Sequence, residues 1–190
     1  MSGKSIYLTF DDGPSEPYTS EILDCLSRYQ AKATFFVCGR NVEKEPESLK
    51  KVFAAGHSIG NHAYSHSWLQ IFGPDLYYEF KLTEKIIAET IGIKPKLVRG
   101  PWGKMRGSVK KKLLAEGYHI AKWDIAPYDW WQPPVWYIAR SIIRRAFDGG
   151  IILLHDGQKT QRNKNRKNTV AALSIIIPTL QKQGYKFKGL

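Results

Sequence analysis

The stretch Ile6-Tyr-Leu-Thr-Phe-Asp-Asp-Gly-Pro14 decides the fold, because a strand-like run in it ends at two adjacent carboxylates. Residues 7–10 are apolar, aromatic or β-branched, which favours a buried strand. Asp11 and Asp12 follow, and Gly13-Pro14 then breaks the strand. Neighbouring side chains on a strand point to opposite faces, so two adjacent carboxylates serve one site only where the strand ends. The pattern predicts a metal or an arginine between them, with a helix N-cap or an Asp-Gly turn as the alternative.

Strand-like and helix-like segments alternate through the rest of the chain. Short apolar runs predict further strands at residues 33–37, 58–60, 96–98, 118–123, 150–155 and 185–187. Apolar residues at helical spacing predict helices at residues 19–29, 46–55, 74–91, 108–116, 135–147 and 168–183. Thr19 or Ser20 can cap the first helix. The alternation indicates an α/β fold with parallel strands, either an open doubly wound sheet or a closed barrel, with function beyond the carboxyl ends of the strands.

The length and composition favour one domain over residues 1–190. The chain has 190 residues, of which 43% are hydrophobic, and no run is long enough to span a membrane. Cys25 and Cys38 lack metal-type spacing and are expected to be buried thiols. The N-terminus lacks the apolar region of a secretory signal, so we expect a cytoplasmic protein or the catalytic domain of a secreted or cell-wall enzyme. The oligomeric state is left open.

The net charge of +12 is compatible with nucleic acid, another acidic polymer or a membrane surface as a partner. No helix-turn-helix, RNP-like or zinc-finger pattern supports nucleic-acid binding, so no such partner is expected. One dense basic run occurs between Lys159 and Lys167. We interpret it as a solvated loop, with contact to an anionic wall polymer as the alternative.

Histidines and an arginine are further candidate site residues beside the carboxylates of the first strand. His62 and His66 are four residues apart, so one helical turn or a tight loop places both rings on one side. Two imidazoles and one carboxylate suit Zn²⁺, Co²⁺ or another divalent transition metal, although an isolated pair of this spacing is more often incidental. His155 ends an apolar strand, where it is placed to act as a general acid, with a histidine hydrogen-bonded in the core as the alternative. Arg99, at another strand end, can hold a carboxylate ionised or form a surface salt bridge.

These motifs together resemble the NodB-type polysaccharide deacetylases, carbohydrate esterase family 4, over essentially the whole chain. The five segments that carry the resemblance are Thr9-Phe-Asp-Asp-Gly13, His62-Ala-Tyr-Ser-His66, Arg99-Gly-Pro-Trp-Gly103, Trp123-Asp-Ile-Ala-Pro-Tyr-Asp-Trp130 and Leu153-Leu-His155. The resemblance implies a distorted (β/α) barrel of about seven parallel strands. It also implies metal-dependent hydrolysis of N-acetyl groups on an N-acetylglucosamine-containing glycan such as chitin oligomers or peptidoglycan.

The resemblance also implies roles for individual residues. Asp11 would be the general base, oriented by Arg99, and His155 the general acid, with Asp129 tuning the charged pair. The metal, Zn²⁺ first and Co²⁺, Ni²⁺ or Mn²⁺ as alternatives, would be held by Asp12, His62 and His66. The backbone N–H of Trp102 would stabilise the oxyanion. The residues expected to contact the substrate are Pro101, Trp102, Gly103, Trp130 and Leu153.

Two positions depart from the family pattern. Ala63 stands where the family usually has Ser or Thr, and Ala126 stands where it usually has an additional acid. Neither change removes a ligand, the base or the acid, so activity is expected, with a looser site or an altered substrate preference. An acetyl xylan esterase and a catalytically silent carbohydrate-binding protein are the alternative functions.

Overall fold

Seven parallel strands form one curved sheet, with helices packed on it, in the computed structural model, which describes residues 3–69, 75–157 and 165–190. The strands are β1 (Lys4–Gly13), β2 (Ala33–Val37), β3 (Ser58–Asn61), β4 (Leu97–Val98), β5 (His119–Ile120), β6 (Ile151–His155) and β7 (Tyr185–Phe187). The helices are α1 (Tyr18–Arg28), α2 (Gly39–Lys44), α3 (Pro46–Ala54), α4 (Asp75–Ile91), α5 (Gly107–Ala115), α6 (Val135–Ile143) and α7 (Lys167–Lys182).

β1 is the centre of the sheet. It pairs with β2 on one side and with β6 on the other, and its first residues pair with β7. In this register Asp11 lies opposite both Phe36 of β2 and His155 of β6. Because all three strands are parallel, their polar carboxyl-terminal residues meet at one edge of the sheet.

The sheet curves into a half-barrel. Its strand order is β5-β4-β3-β2-β1-β6, so β5 and β6 form its two edges. Ile125, five residues after β5, makes an isolated parallel bridge to Ile152 of β6 and brings the two edges together. The prediction of a distorted (β/α) barrel with about seven parallel strands is therefore confirmed.

Several predicted elements differ in extent from the structure. The fifth strand, predicted over residues 118–123, is limited to His119–Ile120. The short helix α2 was not expected, because it has six residues and buries only Gly39 and Val42, too few for a helical pattern. Pro74, the predicted start of the longest helix, lies outside the described residues. In that described part of the chain, no helix is both long and apolar enough to cross a membrane.

The core lies mainly between the sheet and helices α1, α3, α6 and α7. Ile6, Leu8 and Phe10 of β1 are fully buried in it, and the Phe10 ring stacks on that of Phe35 at 5.1 Å. A smaller cluster joins α4 and α5 around Phe80. Cys25 and Cys38 are buried free thiols, as predicted.

Truncation of a β1 core residue tests the central position of this strand. Leu8→Ala should lower the free energy of unfolding by about 3 kcal/mol, because it opens a cavity where three strands meet. Leu114→Ala is the control, since this α5 side chain is 50% exposed, and it should cost less than about 1 kcal/mol. Urea denaturation measures both values. Equal losses would contradict the assignment of β1 as the core strand.

Candidate active site

A bulge at the end of β1 aims two adjacent carboxylates into one cavity. The pairing of β1 with β2 shifts between Asp11 and Gly13, and Asp12 lies between them with φ of 74°. This left-handed conformation is uncommon for residues other than glycine, and it interrupts the alternation of side chains. Asp11 and Asp12 therefore both line a cavity of about 420 Å³ at the carboxyl ends of the strands.

The loop after β3 brings two imidazoles to Asp12. His62 follows the last residue of the strand, and His66 adopts a left-handed conformation with φ of 51°. Oδ1 of Asp12 lies 3.3 Å from Nε2 of His66 and 3.5 Å from Nε2 of His62. The two histidines are thus joined by a tight loop, one of the two arrangements that their spacing allowed.

The chemistry of these three side chains fits a divalent metal ion. Their candidate ligand atoms all lie within 4.8 Å of one another. Oδ1 of Asp12 is buried and accepts no hydrogen bond from any described residue, and a bound cation would satisfy this oxygen. Burial lowers the pKa of His66 to about 4, so its ring is neutral at pH 7, the form that binds metals. His62 Nδ1 lies 2.8 Å from the carbonyl oxygen of Arg99, to which it donates, and this leaves Nε2 with its lone pair.

Asp11 is held by a buried arginine. Nη1 of Arg99 donates to Oδ1 of Asp11 at 2.7 Å and to the hydroxyl of Thr9 at 2.7 Å, and Nη2 donates to the carbonyl of Lys122 at 3.0 Å. Arg99 is fully buried, and its guanidinium lies 4.0 Å from the centre of the Phe36 ring. The contact is therefore an internal ion pair and not a surface salt bridge.

His155 is held by a second buried carboxylate. Asp129 Oδ1 lies 2.8 Å from Nδ1 of His155, and its Oδ2 accepts hydrogen bonds from the His155 backbone N–H and the Thr169 hydroxyl. Burial disfavours the charged imidazole, but the negative charge and the hydrogen bond of Asp129 outweigh it and raise the pKa of His155 to about 9. His155 is therefore protonated at neutral pH.

Aromatic side chains surround the cavity opening. The Trp130 ring lies 5.2 Å from that of His155, and the Trp102 ring lies 4.1 Å from that of His66. The complete lining consists of Asp11, Asp12, His62, His66, Trp102, Gly103, Trp123, Trp130, Leu153, His155 and Arg166.

Most of the residues predicted from sequence thus converge on one cavity. Arg99 and Asp129 lie behind it, where they bind Asp11 and His155. Pro101 is buried and is not part of the lining, although its neighbours Trp102 and Gly103 are.

Arg166 was not expected in the site. It belongs to the basic run interpreted as a solvated loop, yet only 1% of it is exposed, so that interpretation is wrong for this residue. Its Nε and Nη2 donate to the carbonyl of Gly157 at 3.1 and 2.9 Å, and it lines the cavity. Lys159 and the following residues to 164 lie outside the described residues.

Asp156 is a second buried residue whose contacts were not predicted from the sequence. Its Oδ2 accepts a hydrogen bond from the Thr19 hydroxyl, which in turn accepts one from the backbone N–H of Ser15. Thr19 therefore does not cap α1, and neither does Ser20, because the helix begins after Pro17 without a side-chain cap. A Cβ atom on Gly13 would lie 2.1 Å from Asp156 Oδ2, so only glycine fits there. Asp156 and Thr19 thus hold the turn that follows Asp12.

Comparison with known proteins places these residues in a family context. Residues 1–121 match the family model described as polysaccharide deacetylase. The chain is 39% identical over 186 residues to a peptidoglycan-N-acetylglucosamine deacetylase of Bacillus cereus, covering 97% of this chain and 85% of that protein. It is 34% identical over 195 residues to a chitooligosaccharide deacetylase of Bradyrhizobium, covering 98% of this chain and 89% of that protein.

A solved structure shares the fold. Peptidoglycan deacetylase PdaC of Bacillus subtilis superposes with a TM-score of 0.87 at 33% identity, over 98% of this chain and 87% of the other. The resemblance inferred from the five motifs is confirmed by these matches.

The contact between Asp129 and His155 is tested by titration. In metal-free protein, the imidazole of His155 followed by NMR should titrate with a pKa of about 9. Asp129→Asn removes the largest opposing charge and leaves only Asp11 and Asp12 to counter burial, so the pKa should fall well below 9. Asp24→Asn, on the exposed face of α1, is the matched control and should leave the value near 9. A pKa of His155 that Asp129→Asn does not lower would contradict this account.

Proposed function

Because the chain belongs to the polysaccharide deacetylase family, we propose that it hydrolyses the N-acetyl groups of N-acetylglucosamine residues in a glycan and releases acetate. The relatives named for peptidoglycan and for chitooligosaccharides support these two glycans as substrates. One observation carries the proposal. Asp11, bound by Arg99, faces the same cavity as the candidate metal ligands Asp12, His62 and His66 and as the protonated His155.

Asp12, His62 and His66 would hold the metal, and Zn²⁺ is proposed from the two imidazoles and one carboxylate. When bound, such an ion polarises an acyl carbonyl and makes water more acidic. Three protein ligands leave coordination positions for water and substrate, as catalytic zinc sites require. The remaining chemistry comes from side chains of the chain itself.

Asp11 is suited to remove a proton from water. Its Oδ1 is engaged by Arg99, whereas its Oδ2 lies 3.6 Å from Nε2 of His62, on the side of the candidate metal ligands. Oδ2 is therefore the oxygen that would accept the proton, and Arg99 prevents the carboxylate from rotating away. This division of the two oxygens gives Asp11 the role of general base.

His155 is suited to protonate the departing amine. Its Nδ1 is bound to Asp129, so Nε2–H is the proton available to the substrate. A group with a pKa of about 9 is protonated at neutral pH and can supply that proton when the carbon–nitrogen bond breaks. Asp129 stabilises the charged ring and fixes its orientation.

The remaining residues would position the substrate. Trp130 and Leu153 line the cavity beside His155 and give an apolar surface that suits the methyl of an acetyl group. Trp102 has a left-handed backbone conformation with φ of 52°. We assign its N–H to the oxyanion that develops on the acetyl carbonyl, as in other acyl-transfer sites.

Acetate release from N-acetylglucosamine oligomers tests the function. Protein stripped of metal should be inactive, and Zn²⁺ or Co²⁺ should restore release, because Asp12, His62 and His66 are expected to bind either ion. His66→Ala should remain inactive after resupply, whereas His119→Ala, an exposed histidine on β5, should recover fully.

Acetylated xylan and peptidoglycan are assayed beside the oligomers to separate the alternatives. Release from xylan alone would show an esterase. Tight metal binding without release from any substrate would show a silent carbohydrate-binding protein. Either result would contradict the proposed N-deacetylase.

A further inference from the structure

Positive charge is concentrated in residues 94–122, the segment that contributes Trp102 and Gly103 to the cavity lining. This segment holds nine of the 29 lysines and arginines of the chain but only one of its 17 acidic residues. Eight of these nine cations are exposed, and the ninth is the buried Arg99. The segment that carries the lining residues Trp102 and Gly103 is therefore strongly basic.

Two of these lysines stand next to residues that line the cavity. Lys104 follows Trp102 and Gly103, and Lys122 precedes Trp123. A Cβ atom on Gly103 would lie 2.4 Å from the Trp123 ring, so the two stretches are in contact. Lys104 and Lys122, here called the rim lysines, are thus exposed chain neighbours of two lining residues that contact each other.

The rim lysines retain their charge for a ligand. Within the described ranges, neither belongs to any of the ion pairs. The single acid of the segment, Glu116, is engaged by the Tyr77 hydroxyl and by Lys81. The Lys122 carbonyl accepts a hydrogen bond from Arg99, which anchors its backbone while the side chain stays exposed.

An aromatic ring lies beside the first rim lysine. Lys104 Nζ lies 5.2 Å from the centre of the Trp68 ring, which is 45% exposed. The Trp68 ring also contacts that of Trp102 at 5.1 Å, so it is continuous with the cavity wall. An aromatic face beside an ammonium group suits a sugar ring that carries a negative charge.

We propose that the rim lysines bind a carboxylate on the glycan strand, beside the sugar whose N-acetyl group is removed. The inference rests on the proposed function and specifies its substrate: a strand carrying acid groups, such as the N-acetylmuramic acid units of peptidoglycan, is preferred to a neutral strand. Charge complementarity and continuity with the cavity both favour this occupant.

The test compares two forms of one substrate. A peptide-free strand of alternating N-acetylglucosamine and N-acetylmuramic acid is used with its carboxylates free or converted to amides. The zinc-loaded protein should show a kcat/KM about fivefold higher on the free-acid strand at low salt, the size expected for two exposed ion pairs. Because salt screens such pairs, the preference should shrink in 0.5 M NaCl, a concentration whose Debye length is on the order of 4 Å.

Lys104→Gln/Lys122→Gln should bring the ratio of the two kcat/KM values close to one. The matched control is Lys182→Gln/Lys188→Gln, which removes the same charge from exposed positions at the end of α7 and after β7 and should keep the ratio. Equal rates of the unsubstituted protein on both strands would overturn this inference alone. If the control lowers the ratio of the two kcat/KM values equally, the preference is due to net charge, and the role of the rim lysines is overturned. Failure to release acetate from any strand would contradict the proposed function itself.

Discussion

The buried ion pair between Arg99 and Asp11 is the contact on which the site depends. Arg99 enters from the end of β4, and its guanidinium reaches Asp11 and Thr9 of β1 and the backbone carbonyl of Lys122 after β5. Removing one partner of a buried pair leaves an uncompensated charge and costs about 3–5 kcal/mol. The same guanidinium links β1 to the backbone after β5, at the far edge of the half-barrel. Its hydrogen bond to Oδ1 also keeps the Asp11 carboxylate from rotating. Stability and chemistry therefore depend on one arginine.

The bulge at Asp12 gives two adjacent carboxylates different surroundings. A regular strand would send them to opposite faces, but the left-handed backbone at Asp12 turns both into the cavity. Asp11 is then paired with an arginine, whereas the buried Oδ1 of Asp12 lies 3.3 Å and 3.5 Å from the imidazoles of His66 and His62 and accepts no hydrogen bond from the described residues. A carboxylate that is already paired with a cationic side chain, as Asp11 is, is suited to proton transfer. A carboxylate oxygen without such a partner, as in Asp12, is suited to bind a metal ion.

Residues whose position follows from strand ends could be predicted from the sequence. Asp11, His62 and His155 each lie close to the carboxyl end of a parallel strand, and the shared direction of the strands brings those ends together. Arg166 and Thr19 could not be predicted, because their roles depend on contacts that local patterns do not contain. Arg166 is buried by bonds to the Gly157 carbonyl, and Thr19 binds Asp156, which is 137 residues away. The local sequence around a basic run or a capping residue is the same whether or not a distant partner such as Asp156 binds it.

The central claim is that Asp11 and Asp12, although adjacent, have separate roles. Bound zinc per chain, measured together with acetate release in Asp11→Asn and Asp12→Asn, tests it most directly. If the roles are separate, Asp11→Asn keeps about one zinc ion and loses acetate release, whereas Asp12→Asn loses both. Loss of zinc from Asp11→Asn, or its retention with full activity in Asp12→Asn, would contradict the account.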